Sequence, residues 1–196
     1  MSSITPHVGF FLIVASLVGG FVNPTTGTAQ SVFSKADREG LRIDADSMRH
    51  SGLGFALPTP SKNLIPSALL EQQVAGMFGG QLPPDFANWA FQDTTQHWAF
   101  TIQAVGMPGL DEEKFLEYSR GIRNGLSKRI TAVSDTTIWE GTRRESRFVG
   151  RNQQGVYLGT RCVPSVKPRR EYILCIQTFS AEPTTLAKVG GGLTVY

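Results

Sequence analysis

The chain has 196 residues, 40% of them hydrophobic, with a formal net charge of +3 and two cysteines. That composition belongs to a globular protein with one sizeable core, not to a disordered, collagen-like or repeat chain. A net charge of +3 is too small for a nucleic-acid reader, whose basic residues crowd one face.

The first feature along the chain is the uncharged apolar run Val8–Val22, VGFFLIVASLVGGFV. It is followed by NPTTGTAQ, with small residues at Gly27 and Ala29. This predicts a secretory signal peptide over 1–29, cleaved before Gln30. The run is short for a membrane span, which takes about 20 residues. No Lys or Arg precedes it, so an uncleaved N-terminal tether is the alternative; no Cys follows it, which excludes a lipoprotein anchor. The expected location is therefore the periplasm or the exterior, with attachment to the membrane only if the signal is retained.

Residues 30–51 are polar and read as an irregular lead-in, with a single domain over 52–196. In SGLGFALPTPSK, Leu53, Phe55 and Leu57 alternate as in a short strand, and Pro58 and Pro60 end it. Ser67–Met77 predicts a short helix, which FGGQLPPD breaks. ANWAFQDTTQHWAFTIQAV predicts a β-hairpin turning at Asp93–Gln96, with Phe91 opposite Trp98 and Trp89 opposite Phe100. These rings and Ile102 then share one face, and large aromatics on one face usually supply a core.

The longest helix is predicted in GLDEEKFLEYSRGIRNGLSKR. Asp111 is its N-cap, and Glu112 and Glu113 lie in the first turn, where the helix dipole favours anions. Leu110 and Phe115 occupy the positions of a hydrophobic staple, and Phe115, Tyr118, Ile122 and Leu126 form one apolar stripe. Four strands follow, in TTIWEG, RRESRFVGR, GVYLGTRCV and EYILCIQTF, and EPTTLAKVGGGLTV adds a short helix.

Placing the last two strands as a hairpin centred between Pro168 and Arg169 sets Cys162 directly opposite Cys175. Opposed β carbons in such a pair are close enough for a disulfide. The same register pairs Leu158 with Phe179 and Val163 with Leu174. A structural bridge fits an exported chain with two cysteines better than a redox pair, which favours C-x-x-C spacing, or a zinc site, which needs three or four ligands.

No nucleophile elbow, zincin helix, P-loop or dinucleotide fingerprint occurs in the sequence. Of the three histidines, His7 leaves with the signal, and His50 and His97 lie in unrelated segments, with His97 expected on the hairpin face opposite the rings. No catalytic, cofactor or metal residue is therefore assigned. One charged feature stands out: Arg143, Arg144, Arg147 and Arg151 lie along one strand, and Lys167, Arg169 and Arg170 crowd a hairpin loop. Together they form a candidate patch for an anionic partner, or else a charged sheet edge that discourages aggregation.

From Ser51 onward, GFALPTPSK, WAFTIQAV with the LDEEKFLEY helix, WEGTRRESRFVGRNQQGVYLGTRCV and REYILCIQTFSAEP together resemble the PsbP/Mog1-like domains, including the exported DcrB-type bacterial proteins. The resemblance implies an α+β fold, an α-β-α sandwich in which a central antiparallel sheet carries helices on both faces. It also implies a non-enzymatic accessory or binding module, whose partner in an exported protein is another envelope protein or an anionic surface. Two alternatives stay open. One is an exported hydrolase in which His50 or His97 meets a carboxylate and a hydroxyl. The other is a component of a surface or secretion assembly held by an uncleaved N-terminal helix.

Overall fold

The structure is a computed structural model that describes residues 33–128, 130–167 and 170–196, with the Lys167 side chain left aside. The signal-peptide segment 1–29, His7, Pro168 and Arg169 lie outside the described residues. In chain order the elements are α1 (Lys35–Glu39), β1 (Arg42–Ile43), β2 (Ser47–His50), β3 (Phe55–Pro58), β4 (Leu64–Pro66), α2 (Ala68–Gly76), β5 (Phe86–Asp93) and β6 (Trp98–Gly106). They continue with α3 (Glu112–Ser127), β7 (Thr131–Glu140), β8 (Arg143–Arg151), β9 (Tyr157–Lys167), β10 (Arg170–Ser180), α4 (Thr185–Gly190) and β11 (Thr194–Val195).

A seven-stranded sheet in the order β4-β5-β6-β10-β9-β8-β7 forms the frame, and every neighbouring pair is antiparallel. Its central strands are apolar on both faces, as a sheet covered on both sides must be. On β10, Ile173, Cys175 and Phe179 enter one core, while Tyr172, Leu174 and Ile176 enter the other. The first core is closed by α2, through Leu70 and Val74, and by α3, through Phe115, Ile122 and Leu126. Asp111 caps α3 by accepting from the Lys114 N–H at 2.9 Å, and Leu110 joins Phe115 in the core as the staple requires.

The second face departs from the expected sandwich. Its main cover is a four-stranded sheet, β1-β2-β3-β11, which buries Met48, Phe55 and Leu57 against the aromatic hairpin. The six-residue α4 lies beside it and contributes Val189. Gly159 of β9 makes this close seat possible, because a β carbon there would lie 2.6 Å from Leu186 Cβ. The fold is thus α+β and antiparallel, with long helices on one face and a small sheet with short helices on the other.

Two expectations about local structure need correction. Residues 33–50 are not an irregular lead-in: they form α1, β1 and β2, and Phe33 and Met48 are fully buried. The apolar residues there are too sparse to give a periodic signal, yet Phe33 and Met48 fill the second core, Leu41 packs against it, and Ile43 stays exposed.

The aromatic hairpin is also offset by two residues, pairing Phe91 with Phe100 and Trp89 with Ile102. Asp93 causes the shift. Its Oδ1 accepts from the backbone N–H groups of Thr95 and Gln96, both at 2.8 Å, which folds Thr94–His97 into the loop. His97 takes a left-handed φ of 54° and stands exposed in that loop, on neither face of the sheet. Burial alone raises the Asp93 pKa, but hydrogen bonds from the Ser61 and Thr95 hydroxyls and the two loop amides outweigh it and bring it down to about 2. A slip of two residues keeps every side chain on its face, so the rings still share one core.

The β9–β10 hairpin keeps the expected register. Cys162 faces Cys175, Leu158 faces Phe179 and Val163 faces Leu174. The cysteines form a disulfide, with Cα atoms 4.1 Å apart, inside the helix-covered core.

Candidate functional site

Neither β7 nor β8 contributes to the second core, so the small sheet leaves that half of the frame open among the described residues. Side chains on a strand alternate between faces, and directly opposed residues on neighbouring strands share a face. On the open face β8 therefore shows Arg143, Glu145, Arg147 and Arg151. β7 shows Thr136 opposite Arg147, Ile138 opposite Glu145 and Glu140 opposite Arg143, and β9 shows Arg161 opposite Arg147.

Glu145 is the centre of this surface. Its side chain is only 8% exposed, and Arg161 beside it is 13% exposed. Arg161 Nε donates to Glu145 Oε2 at 3.1 Å; Arg147 reaches the same oxygen through Nε at 3.0 Å and Nη2 at 2.9 Å. Arg143 approaches Oε1 at 3.4 Å. Burial alone would raise the Glu145 pKa, but the hydrogen bond from Arg147 and the charges of Arg161 and Arg147 hold it below the usual carboxylate range. Arg161 also donates to the carbonyls of Gly190 and Gly191, tying the end of α4 to the sheet.

One buried carboxylate therefore organises three guanidiniums. Arg143 and Arg147 remain 67% and 47% exposed, with donors facing solvent. A guanidinium carries five N–H donors, and one carboxylate cannot satisfy three of them. With Arg151 and Glu140 included, the face holds four arginines against two glutamates. Carboxylate and phosphate oxygens are the groups such an arrangement can accept, Arg being their preferred partner.

The candidate patch read from the sequence is thus divided. Arg143 and Arg147 come together on the open face. Arg144 points through the sheet to the other side, its guanidinium 4.6 Å from the centre of the Trp139 ring. Arg170 is far along β10 and serves the fold: its Nη1 donates to Asp37 Oδ1 and to the Gly52 carbonyl, each at 2.7 Å. Lys167 ends β9, and its side chain and Arg169 lie outside the described residues. Sequence reading missed Glu145 and Arg161. The spacing Arg143-x-Glu145-x-Arg147 carries the signal, since a strand's period of two sets all three on one face. Arg161 needs the β8–β9 register, which no local pattern supplies.

Among the described residues the histidines do not assemble a base. His50 is buried, its Nδ1 accepting from the Leu53 N–H at 3.0 Å and its Nε2 donating to the Asp37 carbonyl. Ser34, Asp37 and His50 lie close together, but Ser34 Oγ donates straight to Asp37 Oδ2 at 2.7 Å as part of the α1 capping box. Both imidazole nitrogens are held by backbone, which leaves neither for a hydroxyl.

No family model matches the chain, and no curated protein matches it. Among solved structures it is similar to cyanobacterial PsbP from Synechocystis, at 11% identity and a TM-score of 0.49, over 88% of this chain and 100% of that one. It is also similar to the Ran-binding protein Mog1p of Saccharomyces cerevisiae, at 10% identity and a TM-score of 0.45, over 79% of this chain and 96% of that one. These two proteins give their names to the fold group that the sequence resembles. At such identities no residue carries over, so function has to be read from this chain's own side chains.

Proposed function

We propose that the protein is an exported, non-enzymatic accessory module that holds an acidic segment of another protein on the open half of its large sheet. The observation that carries this reading is the buried Glu145 fixing Arg143, Arg147 and Arg161 on an uncovered face. Guanidiniums already held in place give up less freedom on binding than free ones, and that favours affinity. No helix among the described residues is long and apolar enough to cross a membrane.

Export is supported by the apolar run Val8–Val22 and by the Cys162–Cys175 disulfide, a bond that persists in oxidising compartments. N-terminal sequencing of protein recovered from the exported fraction is expected to begin at Gln30. A chain that keeps Val8–Val22 would instead be tethered, as in the assembly-component alternative.

The binding reading is tested with a fluorescein-labelled eight-residue peptide of alternating Glu and Thr, followed by anisotropy at low salt. Arg143→Ser with Arg147→Ser is expected to weaken binding at least about tenfold, and salt should weaken the unsubstituted protein similarly as the screening length shortens. Equal binding by both proteins would exclude the arginine face. If the peptide fails to bind while phosphatidylglycerol vesicles sediment the unsubstituted protein and not the variant, the face reads a lipid surface instead of a protein.

A further inference from the structure

The outer strand of the open half, β7, is ten residues long, and its sequence TAVSDTTIWE contains no Lys, Arg or Pro. It ends the sheet, so one row of its backbone N–H and C=O groups is unpaired within the sheet. Six of its residues, Thr131–Thr136, are exposed, and Val133, at the bulge between Ala132 and Ser134, is 59% exposed. Natural edges of this length are usually shortened, charged or covered, because they invite another strand. The arginines that a charged-edge reading would place here stand one strand further in, on β8.

We infer that β7 is the docking edge itself: an extended acidic segment of another protein adds to the sheet as an eighth strand along Ser134–Glu140. This rests on the binding-module reading above and specifies how the partner is held. Neighbouring strands lie about 4.8 Å apart, so an added strand would run about 10 Å from β8. Across that gap β7 presents the small Thr136 directly in front of Arg147, so no bulky side chain stands between the Glu145-held guanidinium and the added strand. Acidic residues at every second position of the partner then lie on the arginine face, the one opposite Thr136 meeting Arg147 and the one opposite Glu140 sharing Arg143 with that glutamate. The residues between them face Asp135, Thr137 and Trp139, where Asp135 is already neutralised by Arg123 at 2.6 Å. Backbone pairing supplies affinity in this mode and alternate side chains supply choice of partner.

Charge also argues against a second copy in this place. Two-fold pairing of β7 with β7 would continue the sheet with the same face outward. The two β8 strands would then lie about 14 Å apart, bringing together two faces that each carry four arginines against the two glutamates Glu140 and Glu145.

The test combines the Glu–Thr peptide with an analogue N-methylated at four consecutive residues, which keeps the charges but removes the backbone donors. With the full oxidised chain, the parent peptide is expected to slow amide hydrogen exchange in β7 at least about tenfold, and the N-methylated analogue to bind at least about tenfold more weakly. If the analogue binds as well as the parent, yet both are lost in the Arg143→Ser, Arg147→Ser variant, the edge inference is overturned while the binding-module reading stands. If neither peptide binds, both fall. A dimer by light scattering whose β7 amides are protected without peptide would assign the edge to a second copy and overturn the inference.

Discussion

Replacing Glu145 by alanine is expected to destabilise the protein by about 3 kcal/mol, because it removes one partner of a largely buried ion pair and leaves the other charge uncompensated. The charge left behind is that of Arg161, 13% exposed. Arg143 and Arg147 are far more exposed, so screening by water makes their share of the loss small. Arg161 also secures the Gly190 and Gly191 carbonyls, and the substitution should loosen α4 as well. Urea unfolding measures the total, and hydrogen exchange in 185–190 measures the local part. Glu145→Gln, which keeps an acceptor oxygen, should lose less. A loss below about 0.5 kcal/mol for the alanine variant, the ordinary range for a surface site, would mean that Glu145 is not the organising group.

The pH dependence of the same site follows from its sign. The Glu145 pKa is lowered in the folded protein, so its contribution is present above the unfolded carboxylate value of about 4.3 and is lost as pH falls through the lower folded value. Glu145→Gln should flatten the acid limb of the stability profile in that window and leave the neutral range parallel to the unsubstituted protein.

The second large effect belongs to the disulfide. Cys162→Ala with Cys175→Ala is expected to cost about 3 kcal/mol in the chain-entropy account, the bond closing a separation of 13 residues. For a domain of this size that is a fall in melting temperature of roughly 6–12 °C. The bridge joins the two most central strands on that side of the frame, and both sulfurs lie in the helix-covered core. Mass spectrometry without reductant should find the two cysteines linked. Free thiols in the native protein would reopen a redox role for them.

What the sequence disclosed depended on how far each feature was set by its neighbours. The β9–β10 register was readable because apolar residues occur on both faces and the two strands run almost directly into one another; a slip of one would set Leu158 and Phe179 on opposite faces of the sheet. The α3 helix was readable from its cap, staple and stripe. The aromatic hairpin was readable in face but not in partner, because the Asp93 turn hydrogen bonds and the positive φ of His97 set loop length, and hydrophobic pattern does not report either. The small sheet was missed because its strands are short, one of them only Ser47–His50, and gain their stability from covering a hairpin some 40 residues away in sequence.

The candidate site shows the same limit. Arginines were grouped by nearness along the chain, whereas the strand period separates Arg144 from its neighbours and the register brings in Arg161. Along the chain Glu145 is one acid among bases; burial makes it the group that holds them.

The central claim is that the open half of the large sheet, and no other surface, receives an acidic segment. Titrating isotopically labelled protein with the Glu–Thr peptide and following backbone amide shifts by NMR tests it most directly. The account predicts changes concentrated in β7 and β8 and around Arg161, all reduced at least about tenfold in affinity by Arg143→Ser with Arg147→Ser. Changes centred on the small sheet or around Arg170, or changes that persist undiminished in the variant, would contradict it.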